Sequence, residues 1–126
     1  MNSIRGVAVD GQSEAGKLLP VRPLDFSILL ALAEREDYGY QIVQRIAEAE
    51  TGGIRLAPSN LYSVLDRMIE AGLVEDRGKR SHGSRPPRRY YAITELGREV
   101  LDAEAARLRT VLRSAQRLSL NPVEAE

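Results

Sequence analysis

The chain has 126 residues, enough for one domain, and its 18 basic and 18 acidic residues cancel. That balance excludes a globally basic nucleic-acid coat and an acidic tail protein, and the lack of Cys excludes a disulfide framework, a thiol nucleophile and a Cys-bound zinc. A single His argues against a His-based metal site, and no apolar run is long enough for a membrane span or a signal peptide, so a cytoplasmic protein is expected.

Residues 1–19 hold Gly6, Gly11 and Gly16 without helical or strand period, and they read as a flexible arm. Pro20 and Pro23 end it, and Pro is tolerated in a helix's first turn. Phe26, Ile28, Leu29, Leu32 and Ala33 predict a first helix over about 23–35, apolar almost all round and so buried on more than one side. Asp37 and the Tyr38-Gly39-Tyr40 triplet break it. A second helix follows, with Tyr40, Ile42, Val43, Ile46 and Ala47 at helical spacing and Tyr40 expected in the core. Thr51-Gly52-Gly53 ends it, and Ile54-Arg55-Leu56 reads as a short strand.

Ala57 or Pro58 opens a third helix, with Ser59 or Asn60 able to cap its exposed N–H groups. Leu61, Val64, Leu65, Met68 and Ile69 recur three and four apart as one buried stripe, and Gly72 closes the helix. Residues 73–77 enter a strand and 90–93 leave as another. The Gly-, Ser-, Pro- and Arg-rich loop between them marks a β-hairpin. Thr94 caps a last helix that reaches about Leu118, and Asn121-Pro122 stops it.

Charge is uneven along this order. Six basic residues and no acidic one lie between Arg77 and Arg89, so the rest of the chain carries a net charge of −6. A local positive field on an acidic body points to a polyanion. Three helices plus a basic hairpin make a winged helix-turn-helix. The third helix would offer Ser59, Asn60, Tyr62, Ser63 and Arg67 to a major groove, and the hairpin would set positive charge over phosphates or the neighbouring minor groove.

The residues also resemble a known family. Tyr38-Gly39-Tyr40-Gln41-Ile42 resembles the YGYEI element of PadR-type transcriptional regulators. Pro58-Ser59-Asn60-Leu61-Tyr62-Ser63-Val64-Leu65 is similar to their "SpGTLYPaL" recognition helix. Glu70-Ala71-Gly72-Leu73-Val74 resembles "eeGlI", and the run from Arg88 to Gly97 resembles "RRYYrlTeaG". Asn60 stands where Gly is common and Ser63 where Pro is common, both on the exposed start of the third helix. The resemblance implies a homodimeric repressor of the shorter type, with an effector entering at or near the dimer interface. This chain has no Trp and one Phe, which argues against a large aromatic drug-binding pore.

The fold class expected is mainly α (α+β), a winged helix-turn-helix with a long C-terminal dimerisation helix. Its units are an arm (1–19), a DNA-binding domain (20–93), the dimerisation helix (94–118) and a tail (119–126). The expected partners are double-stranded DNA with a pseudo-palindromic operator, a second copy of the chain and a small-molecule effector. No cofactor, metal, membrane or enzymatic activity is expected, since no GxSxG elbow or Gly-rich phosphate loop occurs. The alternative is an interaction module whose wing binds an acidic protein.

Individual residues carry stated alternatives. Tyr62 contacts DNA or belongs to the core. Ser59 and Asn60 cap the helix or contact DNA. Arg67 reaches a phosphate or pairs with Asp66, Glu70 or Glu75. Lys79, Arg80, Arg85 and Arg88 are expected on phosphates, Arg89 back on the hairpin, and His82 near DNA. Tyr38 and Gly39 start the second helix, whose N–H groups would meet a phosphate. Of Tyr90 and Tyr91, one is expected inside and one outside. Leu101, Ala105, Leu108, Leu112, Ala115 and Leu118 form a seam with nothing left to cover it but a partner chain.

Overall fold

Ring-locked Pro23 occupies the first position of α1, Pro23–Glu34, in a computed structural model that describes residues 13–49, 58–81 and 83–118. This helix buries Ile28, Leu29, Ala31 and Leu32 and touches helices on two sides and the sheet, which explains its nearly continuous apolar surface. The chain then extends at Arg35, forms β1, Asp37–Tyr38, and turns into α2, Gly39–Glu48, whose Ile42 and Ile46 are buried. Helix α3, Pro58–Glu70, follows. Gly72, at φ +83°, lies in the left-handed region, and the Leu73 N–H returns to the Met68 carbonyl at 2.9 Å, so the helix stops where the glycine allows it.

Strands β2, Val74–Arg80, and β3, Arg88–Ile93, form the hairpin. The sheet runs β1-β3-β2 and is antiparallel throughout, with Tyr38 opposite Tyr90 and Val74 opposite Ile93. The register shifts between Asp76 and Lys79, where the Gly78 N–H donates to Asp76 Oδ1 at 2.8 Å. Thr94 joins sheet to helix. Its hydroxyl donates to the Gly72 carbonyl at 2.6 Å and accepts from the Gly97 N–H at 2.9 Å, capping α4, Glu95–Arg117.

The fold is thus the winged helix-turn-helix with a long last helix that the patterning predicted, with local corrections. The break after α1 is itself a strand, because β3 leaves an edge that Asp37 and Tyr38 fill. Tyr90 and Tyr91 are both buried. They point to opposite faces: Tyr91 joins the core, while Tyr90 is covered on the other face by the Tyr38 ring and the Arg80 guanidinium. Burial, and then the neighbouring Asp76 carboxylate, push the Tyr91 hydroxyl pKa up. Tyr40 is exposed rather than in the core, its hydroxyl accepting from Gln44 Nε2 at 3.3 Å.

The expected arm is shorter than its predicted bounds. Ala15 is buried, Gly16–Leu18 forms a 3-10 turn, and Leu18 and Leu19 pack on the core. Positions 1–12, the strand expected at 54–56, the helix end at 51–53 and the tail from 119 lie outside the described residues. The seam on α4 also divides. Leu101 is buried within the protomer and Ala105 is half-buried, because the first turns of α4 cover α1 and the 3-10 turn. Leu108, Leu112, Ala115 and Leu118 stay exposed.

Candidate nucleic-acid interface

Helix α3 has two sharply different sides. Leu61, Leu65 and Met68 are buried against α2 and β2. Each such side chain is worth about 1.5–3 kcal/mol in transfer alone. At about 100° per residue, Asn60, Tyr62, Ser63, Asp66 and Arg67 fall on the opposite arc, and all are exposed. Asn60 lies inside the first turn of α3 rather than before it, so it is not the cap residue. Ser63 Oγ donates to the Asn60 carbonyl at 3.1 Å. Ser59 belongs to the same turn, its side chain outside the described set.

Both edges of this arc are held. Tyr62 is exposed, yet its ring and hydroxyl lie over the start of α2. A Cβ on Gly39 would stand 2.7 Å from Tyr62 Oη and 2.9 Å from Leu61 Cδ2, so only glycine permits the approach. Arg67, on the opposite edge, does not await a phosphate. Its two terminal nitrogens donate to both oxygens of Asp25, at 2.8 and 3.1 Å. Asp25 is buried in the first turn of α1, and its hydrogen-bonding carboxylate raises the Arg67 pKa. None of the acids expected for Arg67 is the partner, because Asp66, Glu70 and Glu75 are near in sequence while Asp25 is 42 residues away.

The wing sorts its six cations into two sets. Arg80 binds both oxygens of Glu36, Arg77 binds Glu75 at 2.8 Å and approaches Glu36 at 3.7 Å, and Arg89 binds Asp76 at 2.7 Å. Arg89 therefore folds back on the hairpin as expected, but Arg80 is engaged rather than free for a phosphate. The Arg80 hydrogen bond, and then its charge with that of Arg77, hold the Glu36 carboxyl below the usual range. Lys79, Arg85 and Arg88 have no carboxylate partner among the described residues. Three carboxylates against six cations leave the wing a net of three positive charges, not the six counted along the sequence.

The wing's base is aromatic. Tyr38 meets Tyr90 edge-on at 5.5 Å, the Arg88 guanidinium lies 4.6 Å over Tyr38, and that of Arg80 lies 4.7 Å over Tyr90. Tyr38, Arg85, Arg88 and Tyr90 line an open cleft of about 270 Å³. The buried Gly39 and half-buried Tyr38 thus support α3 and the wing from beneath. His82 lies outside the described residues. Sequence reasoning missed Asp25 and Glu36. A lone acid in the first turn of an otherwise apolar helix was the available signal for Asp25.

Residues 28–103 match the model of the transcriptional regulator PadR-like family. An uncharacterized protein of Lysinibacillus sphaericus is 36% identical over 85 residues, covering 62% of this chain and 71% of that protein. Among solved structures, a PadR family transcription regulator from Clostridium difficile R20291 superposes with a TM-score of 0.67 at 22% identity, covering 77% of this chain and 98% of that one. A PadR family regulator from Eggerthella lenta gives 0.61 at 26% identity, over 79% and 86%. Bacillus subtilis PadR in complex with operator DNA gives 0.59 at 20% identity, over 75% and 61%.

Proposed function

The chain belongs to the PadR-like family of transcriptional regulators, and on that premise we propose that it is a homodimeric, sequence-specific DNA-binding protein. The carrying observation is the two-sided α3, apolar against the core and polar outward, with three wing cations beside it that meet no carboxylate among the described residues. Asn60, Ser63 and Tyr62 face the major groove, and Ser59 enters with them at the helix start. Lys79, Arg85 and Arg88 take phosphates. The Bacillus subtilis relative, solved with operator DNA, supports DNA binding as the family's role. Repression relieved by a small-molecule effector is the mode the family resemblance implies. The operator sequence is read by selection of bound duplexes.

The second copy covers the outer end of α4. Leu108, Val111, Leu112 and Leu118 are exposed there, an apolar stripe too long for a solvated helix. Charge favours an antiparallel partner only where its basic end, Arg109, Arg113 and Arg117, reaches back to Glu95 and Glu99; a pair centred on the stripe would set basic beside basic. Spin labels at Gln116 test this. A long label-to-label distance supports that extended antiparallel register, and a short one rules it out.

Salt dependence of binding to a random duplex tests the wing. Three phosphate contacts per protomer give a dimer a log–log slope of about −5. Replacing Lys79, Arg85 and Arg88 together by Ala should flatten the slope and weaken all sequences alike. An unchanged slope removes the wing from the interface.

A further inference from the structure

We propose that Asp25 is a positioning residue for DNA recognition: it fixes the roll of α3 through Arg67 without touching DNA. The inference rests on the DNA-binding reading above. Apolar packing holds α3 to the core, but apolar contact is non-directional and resists rotation about the helix axis weakly. A bidentate guanidinium–carboxylate pair is directional in both distance and plane. Asp25 supplies that pair from a buried position in α1, at 2.8 and 3.1 Å, whereas α3 otherwise packs mainly on α2 and β2.

The lever is short and stiff. Arg67 lies seven residues after Asn60, two turns along nearly the same line of the helix, with Ser63 between them. Side-chain tips lie about 6 Å from a helix axis, so a roll of about 10° displaces them by about 1 Å. That exceeds the tolerance of a bidentate or groove contact, about 0.5 Å. Tyr62, seated over Gly39, limits the roll at the opposite edge. The exposed arc is therefore held at both margins, and its polar residues have no freedom to hunt for a second register. The Arg67 guanidinium is consumed in this pair, so it adds nothing to phosphate binding.

The test uses the full chain and two probes: the tightest duplex the unsubstituted chain selects from a random library, and the random library itself. Asp25→Asn and Arg67→Gln should each weaken binding to the selected duplex by about tenfold, the scale of one lost base contact. The double variant, which removes one charge of each sign, should change neither affinity for the random library nor its salt slope. The double variant should lose no more than either single one, since both remove the same pair. It also leaves no unpaired buried charge, so it keeps the question answerable if Arg67→Gln folds poorly with Asp25 alone. An Arg67→Gln slope flatter by about two for the dimer, one per protomer, makes Arg67 a phosphate contact and overturns the proposal. A double variant with unchanged preference for the selected duplex overturns it as well. If the unsubstituted chain prefers no duplex over the library, the DNA-binding reading itself fails, a separate result.

Discussion

Body and wing use the same charged groups in opposite ways. In the body, Arg45, Arg67 and Arg107 reach carboxylates that are almost wholly buried: Asp37, Asp25 and Glu104 are 6%, 6% and 2% exposed. In the wing, Arg77, Arg80 and Arg89 meet Glu75, Glu36 and Asp76, all substantially exposed, and Lys79, Arg85 and Arg88 meet no carboxylate among the described residues. Two of the body pairs join different elements, while Arg107 and Glu104 lie three residues apart in α4. Arg67 ties α3 to α1, and Arg45 ties α2 to β1 and to the end of α1 through the Ala31 carbonyl at 2.6 Å. Buried pairs therefore fix geometry, and exposed pairs trim the field.

The largest expected effect lies in the body. Arg45→Met removes three hydrogen bonds at once, to Asp37 at 3.1 Å, Glu34 at 2.9 Å and the Ala31 carbonyl, and leaves Asp37 buried. Breaking a buried pair by removing one partner costs about 3–5 kcal/mol. The low end is expected, since Arg35 Nε remains 3.6 Å away and the Tyr38 N–H still donates at 3.0 Å. Urea denaturation should show a lower midpoint with an unchanged slope. A midpoint equal to that of a wing Arg→Ala variant would erase the contrast between the two regions.

Glu104 gives the next effect, and it depends on pH. Its carboxylate accepts from Arg107 at 2.8 and 2.7 Å and from the Val21 backbone N–H, tying α4 to the entrance of α1. The Arg107 hydrogen bonds are the main cause that holds its pKa down, with the Val21 bond adding to them. A depressed folded value means stability that is present above the ordinary glutamate range, near 4.3, and lost as pH falls through the lower folded value. Glu104→Gln should remove part of this acid limb and lower stability at neutral pH, with the difference shrinking as pH falls through the lowered folded value. Thermal melting between pH 7 and pH 3 measures it. Parallel curves for the two chains would mean that this carboxylate contributes nothing to the acid limb.

Much of this architecture was legible because it is local. Leu61, Leu65 and Met68 repeat at helical spacing, Gly72 and Thr94 are stop and start signals within one turn of their helices, and the Gly- and Pro-rich run separates two strands. The ion pairs were not legible, because Arg67 and Arg80 meet acids 42 and 44 residues away. Periodicity reports which face of a helix is apolar, and nothing about which charge a polar face will meet. The same limit misplaced Leu101. Its spacing matches Leu108 and Leu112, but only the tertiary arrangement shows that α1 needs cover from the first turns of α4 and not from the last. Tyr90 was misjudged for a related reason: alternation places it on the face away from the core, and the Tyr38 ring and Arg80 guanidinium that cover it there come from elsewhere in the chain.

The smallest expected effect separates trimming from holding. Glu36 lies between α1 and β1 and engages both Arg80 and Arg77 across the base of the wing. All three groups are partly exposed, so Glu36→Gln should leave the melting temperature unchanged within error, as is usual for exposed pairs. Its effect belongs to the field. One negative charge fewer beside the three cations that meet no carboxylate among the described residues raises the wing's net charge from three to four per protomer. Affinity for a random duplex should rise a few-fold at about 0.01 M salt, where the screening length is near 30 Å, and the gain should vanish by about 1 M, where it is near 3 Å. The hydrogen bond from Arg80 lowers the Glu36 carboxyl pKa, so the group stays ionised near neutrality and pH change there should not reproduce the substitution. A gain that persists at high salt would mean that Glu36→Gln has reshaped the wing instead of its field, and a lowered melting temperature would move Glu36 into the class of Asp25, Asp37 and Glu104.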